Sequence, residues 1–418
     1  MSVARYIDES ERDYYQNDYY PGERTARTVR SARSRTVDYP ERTMTYTGGS
    51  DSGRRRSGKR KKRGNRTLLF TFVLLALAGI VVLIVQMTFN RRETFIEMTE
   101  TPIAADATYL NTGDGLLYQT DGEIHFYHFS DSKKNYTYGM GASDIRMSGS
   151  ESMTVVYNFA SLQIVGEKDT IGFTGAIQAV ECGTRHLAVL RTNESGTDGL
   201  WLLTIDGERG EISEVSGQYI VDFGFYSVGG EKLWIETLNA SAGTPMTTIT
   251  SYDVDRNAVT GVMNIYNQLV DGIYITDSSL FVAGTNQIIR YTHNGNKEEY
   301  RKMIYGYQPA DFSSSSGTVT FLLTPRGGDF HSVKILSLAE DSSAQEVETY
   351  LQLPTEGVDA FILGNSLAVA SRENLYVYSL KGKLQRTATF AHPIDSAVKI
   401  SDSMLLLASG GKFYLTKI

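Results

Sequence analysis

The rhythm of apolar and polar positions divides the chain into three stretches. From Leu68 to Val85 there is no charged residue, within a longer apolar run at 67–89, TLLFTFVLLALAGIVVLIVQMTF. As a helix that run would measure roughly 33 Å, enough for a bilayer core of about 30 Å. Residues 1–53, ahead of it, show almost no aliphatic periodicity. They are predicted to be disordered, because so little apolar surface cannot offset the entropy of ordering. Beyond it, short apolar runs and alternating segments are separated by Gly, Asn, Asp and Ser, the signature of strands and hairpin turns.

These strand segments repeat. GLLYQTDGEIHFYHF (115–129), SMTVVYNFASLQIVG (152–166), SLFVAGTNQIIRYTH (279–293), SLAVASRENLYVYSL (366–380) and MLLLASGGKFYLTKI (404–418) align without gaps. Each is an apolar strand, a polar turn and an alternating strand. Segments 186–206, 232–254 and 318–338 are further copies with longer turns. A short strand precedes each copy, as in VDFGFYSVGG, PADFSSSSG and DAFILGN, and an outer strand follows many, as in LKGKLQRTATF. Four strands per unit, with units about 40 residues apart, predict an all-β fold, a β-propeller of eight four-stranded blades. Seven blades and a pair of β-sandwiches are the alternatives. The last unit stops at Ile418 after its third strand, and TFIEMTE at 94–100 is placed to supply the missing outer strand and close the ring.

Charge orients the apolar run. Arg54, Arg55, Arg56, Lys59, Arg60, Lys61, Lys62, Arg63 and Arg66 precede it, while Arg91 and Arg92 follow it. The basic excess stays in the cytoplasm, which places the C-terminal region outside. The expected organisation is a disordered cytoplasmic tail with its basic cluster (1–66), a transmembrane helix (67–89) and an extracytoplasmic propeller (90–418). No A-x-A site follows the run, so an uncleaved anchor is expected rather than a signal peptide. The cluster also suits contact with anionic lipid headgroups. From residue 95 onward 22 Lys and Arg stand against 38 Asp and Glu, a net charge of −16. Such a domain is poorly suited to neutralising phosphates, so nucleic acid is not an expected partner. The single cysteine, Cys182, excludes an intrachain disulfide and, with no evident basic partner, reads as a small buried filler in a strand (AVECGTRHLAVL).

A basic N-terminal tail, one span and a propeller without cysteine pairs resemble an uncharacterised clostridial, Gram-positive family of single-pass membrane-anchored propellers. The resemblance covers about residues 60–418 and rests on layout and hairpin pattern. It implies a cell-membrane location and no established activity. The repeats are more weakly similar to WD40-like and quinone-enzyme-type propellers.

No catalytic, cofactor or metal constellation is read from the residues. His125 and His128 lie three apart on a strand and so point to opposite faces. DVDRNAVTG at 253–261 begins like a calcium loop, but Ala258 and Asn264 stand where Gly and Glu are required, so it reads as a hairpin turn. Trp201 and Trp234 lie within apolar strands and read as core. The tail tyrosines Tyr14, Tyr15, Tyr19 and Tyr20, set among acidic residues, are candidates for phosphorylation or partner docking. Absent catalytic groups, the expected function is an envelope-bound binding or scaffold propeller. It would engage a protein or wall polymer through its longer loops, 191–199, 238–246 and 324–331. A glycan-acting enzyme and a sensor signalling through the tail are the alternatives.

Overall fold

The computed structural model describes residues 94–418 apart from 140–143, 205–208, 242, 294, 296, 328–329 and 341–345, and before residue 94 only Ala76 and Gly79. The chain divides into two units, Met1–Gly79 and Ile80–Ile418, and the second holds the propeller. The basic cluster, the tail tyrosines and nearly all of the span at 67–89 lie outside the described residues. Among the described residues no helix is long and apolar enough to cross a membrane.

Eight sheets follow one another in chain order among the described residues. Blade 1 spans 109–138, blade 2 146–172, blade 3 176–211, blade 4 219–266, blade 5 270–303, blade 6 307–357, blade 7 359–390 and blade 8 396–417. Each blade is an antiparallel meander from an inner strand to an outer one. Tight turns make this possible where they accept positive φ. Asp121 (φ 52°) and Gly122 (φ 78°) form the two-residue turn of blade 1, and Gly410 (φ 56°) and Gly411 (φ 80°) that of blade 8.

The core is not central. It consists of eight apolar clusters, one at each interface between neighbouring blades. Leu117, Ile124 and Val156 join blades 1 and 2, for example, and Leu322, Val333 and Leu367 join blades 6 and 7. A second strand therefore packs on both faces, which is why Ser279–Gly284 is buried at every position and reads as a continuous apolar run.

Ring closure differs in detail from expectation. The outer strand of blade 8 is Thr99–Ala104, antiparallel to Lys412–Lys417. The segment 94–100 does not fill that place as one strand. Its first part, Thr94–Ile96, adds a fifth, parallel strand to blade 7, with Ile96 opposite Phe390. Burial decides this register. Thr101 and Ile103 turn into the blade 8–blade 1 side, and Pro102, which has no N–H, sits on an edge where none is needed.

Candidate binding face

Because strand direction alternates within a blade and blades repeat by rotation, every turn joining a second to a third strand opens on one face. The connections from one blade's outer strand to the next blade's inner strand open there too. In blades 1, 5 and 8 the second-to-third turns are the two-residue pairs 121–122, 285–286 and 410–411. The longer ones belong to blades 3, 4 and 6. The structure therefore brings 191–199, 238–246 and 324–331 onto the same face, although nearly 140 residues separate the first from the last.

These loops are held rather than loose. Asn193 Oδ1 accepts from Ser195 N (3.0 Å), Ser195 Oγ (2.7 Å) and Thr197 N (2.9 Å). Arg191 Nη1 donates to Thr174 O at 2.8 Å and its guanidinium lies 4.1 Å over the Trp201 ring. Asn239 Oδ1 accepts from Ser241 N and Oγ at 3.0 and 2.6 Å. Arg326 pairs with Asp271 of blade 5, and its backbone N–H donates to Gly306 O at 3.0 Å. Such self-bonded loops present hydroxyls, amides and backbone groups at low ordering cost.

On the same face a groove of about 220 Å³ lies between blades 6 and 7, lined by Thr355, Glu356, Val358, Ser371, Arg372, Glu373 and Asn374. His331 Nε2 stands 3.7 Å from Glu356 at its border. The groove joins two segments 16 residues apart, TEGV and SREN, and no motif in either announces it.

The channel side of the inner strands is stitched by side chains. Asp311 Oδ1 accepts from Phe312 N and its Oδ2 from Ile362 N of blade 7, both at 2.7 Å. Asp359 Oδ2 accepts from Ala397 N of blade 8 at 2.7 Å. Lys399 Nζ donates to Ile362 O at 2.5 Å and lies 3.6 Å from Asp311 and 3.1 Å from Asp402. Arg146 Nη1 donates to Gln178 O at 2.7 Å, joining blades 2 and 3. The sequence reading missed these residues. The usable signal was the Asp-Phe pair recurring at 222–223 and 311–312, at matching places in two units.

On the opposite face, Glu231 of blade 4 is a latch onto blade 3. Its Oε2 meets His186 Nδ1 at 2.6 Å, and its Oε1 accepts from Arg185 N at 3.1 Å and from Thr184 N. Burial works to raise this carboxyl, but those hydrogen bonds prevail and hold it below its ordinary value. Asp253 follows the same logic: burial raises it, and Arg256 N and Lys232 pull it lower. Glu340 is lowered by Ser278 and Thr276, and Glu346 and Glu348 mainly by Lys302.

The other residues singled out in the sequence fall as follows. Cys182 is buried among Ile177, Val180 and Leu187, and burial pushes its thiol up to about 12, so it is a filler rather than a nucleophile. His128 Nδ1 accepts from Asp131 N at 3.0 Å, while His125 stacks on Tyr118 and bonds Thr137. Asp253 and Asn257 form the outer hairpin turn of blade 4, with Tyr252 donating to Asn257 Oδ1 at 2.7 Å. Trp234 packs on the blade 4–blade 5 cluster and covers Gly224, where an added Cβ would meet its ring at 2.8 Å.

Residues 89–413 match the profile of a family of unknown function, DUF5711. The chain belongs to that family. No curated protein matches the sequence. Among solved structures, the Dos1 propeller is similar at 12% identity and a TM-score of 0.52, over 78% of this chain and 95% of that one. The computationally designed protein Ika8 is similar at 11% identity and a TM-score of 0.50, over 78% of this chain and all of that one. BamB from Moraxella catarrhalis aligns at 12% identity and a TM-score of 0.48, over 77% of this chain and 100% of that one. At such identities the likeness to the first two concerns the fold alone, a β-propeller.

Proposed function

We propose that this chain is a single-pass membrane protein whose propeller lies outside the cytoplasm and binds a protein or cell-wall polymer as an envelope scaffold, without catalysis of its own. A clostridial, Gram-positive envelope is the setting that fits the layout. One observation carries the binding reading: the three longer loops, 191–199, 238–246 and 324–331, share a face with the groove between blades 6 and 7. Loops whose described residues bond one another, sharing a face with a shallow recess, suit recognition of a broad partner. The basic cluster at 54–66 supports the orientation and an inner-leaflet contact.

A glycan-acting enzyme would require a carboxylic acid kept protonated near neutral pH. Every described carboxyl group whose pKa is displaced is displaced downward, Glu231, Glu340, Glu346 and Glu348 by partners that include a neighbouring blade and Asp253 by Arg256 and Lys232 of its own blade.

The test is recovery of partners on crosslinking and purification of the full chain from membranes. Replacing 193–197 with Asn-Gly, together with the corresponding shortening in blades 4 and 6, is expected to cut partner recovery at least tenfold while unfolding stays unchanged. Undiminished recovery from the shortened protein would remove the loop face as the binding surface. For topology, protease added to wall-stripped cells is expected to digest the propeller and spare the tail; the reverse pattern would sink the envelope role.

A further inference from the structure

We propose that the rim of blade 7 rests on the outer leaflet of the bilayer and recognises anionic phospholipid headgroups. This deepens the reading above, since it rests on 67–89 being a retained span.

Four observations converge on that rim. First, the region from residue 95 has a net charge of −16, yet no acidic residue occurs between Glu373 and Asp395. That stretch holds the third and outer strands of blade 7, Asn374–Ser379 and Leu384–Phe390. Second, Lys381, Lys383 and Arg386 are all exposed, and none has an ion-pair partner among the described residues. Lys302, Lys334, Lys399, Arg185 and Arg326 are paired with carboxylates, whereas Lys133, Lys134 and Lys168 are likewise exposed without an ion pair among the described residues but lie in stretches that also carry acidic residues. Third, exposed apolar side chains share this edge, Leu384 next to Lys383 and Phe95 further along, opposite Thr389. Leu384 is 47% exposed, and the strand Thr94–Ile96 lies along the same edge, with Ile96 buried and Phe95 turned outward at 70%.

The fourth observation is reach. Four residues, 90–93, separate the end of the apolar run from Thr94. At no more than about 3.6 Å per residue, the first strand of the propeller starts within roughly 18 Å of the end of the span. The rim that chain length keeps nearest the lipid is therefore also the rim that combines unpaired cations with exposed Phe and Leu. That is the composition of a surface resting at the headgroup level, where each basic side chain raises occupancy roughly fivefold. Seated this way, the rim leaves the loop face free for a separate partner.

The full-length chain in nanodiscs tests this. A photocrosslinking phenylalanine derivative replaces Leu384, or Tyr266 on the outer strand of blade 4, which is 57% exposed and serves as control. Lipid adducts are expected at position 384 and not at 266. Adding phosphatidylglycerol to phosphatidylcholine discs is expected to raise adducts at 384 at least fivefold. The combined change Lys381→Glu, Lys383→Glu and Arg386→Glu is expected to reduce them about tenfold, with the unfolding midpoint unchanged. Equal adducts in both lipids, none at 384, or capture of a protein at 384 in native membranes would each overturn the proposal. Flotation after carbonate washing reads the span separately. A chain that fails to float removes both readings, whereas one that floats without adducts at 384 removes the rim contact alone.

Discussion

Glu231 concentrates the physical chemistry of this propeller in one side chain. It is 4% exposed, and its carboxylate satisfies two backbone N–H groups and His186 across the blade 3–blade 4 boundary. The fit is tight: a Cβ on Gly183 would crowd its Oε1 and the Phe225 ring, so a larger residue there would displace the latch. The Glu231 carboxyl is held below its ordinary value in the folded chain. Its contribution is therefore present above the unfolded pKa, about 4.3, and is lost as pH falls through the folded value. Glu231→Gln is expected to cost about 1–3 kcal/mol near neutral pH, with the gap to the parent chain closing in acid. Urea unfolding at a series of pH values checks this, and a gap unchanged into acid would show that the charge is not what stabilises. Cys182 was legible as filler because it falls in a short strand with no evident basic partner to activate a thiolate. Glu231 was not, because its partners lie 45 to 47 residues away.

At the scale of elements, the segment 94–104 joins the two ends of the ring. A closing strand near residue 94 could be inferred because the last unit lacked one. Its register could not, since TFI and TETPIA both alternate and only pairing with Lys412–Lys417 distinguishes them. Ile103 carries the closure, 1% exposed against Leu116, Leu406 and Phe413. Ile103→Ala is expected to destabilise the domain by about 2–4 kcal/mol through lost burial and the cavity left behind. Glu97→Ala, at an exposed position between the two strands, is expected to change it little. Equal effects of the two in thermal or urea unfolding would count against closure by this strand. The same pairing draws a basic, acid-free outer strand and an exposed Phe95 onto one edge, which the order of residues alone does not show.

Across the whole molecule, eight interfaces replace a single core, and each blade has a neighbour on both sides. An open stack of repeats could lose its ends first, whereas a closed ring has no end. Unfolding is therefore expected to be cooperative over the ring. Trp201 in blade 3 and Trp234 in blade 4 report by fluorescence, and circular dichroism reports on all blades. The two transitions are expected to coincide, and Ile103→Ala on the far side is expected to shift both equally. Separate transitions would show that blades fold in groups. The loop face belongs to this scale as well, since it exists only because rotation carries three distant turns to one side.

Residue order alone determined the strand pattern, the four-stranded repeat and the charge asymmetry along the chain, because turn chemistry and alternation are local and recur in every unit, while the choice of eight blades over seven was settled by the sheets themselves. The tertiary structure alone decided which turns share a face, which carboxylates bind neighbouring blades and how the ends are stitched. Those depend on pairings between residues tens to hundreds apart, where a strand can shift its register without altering its own apolar pattern and only burial against the facing blade selects among the choices.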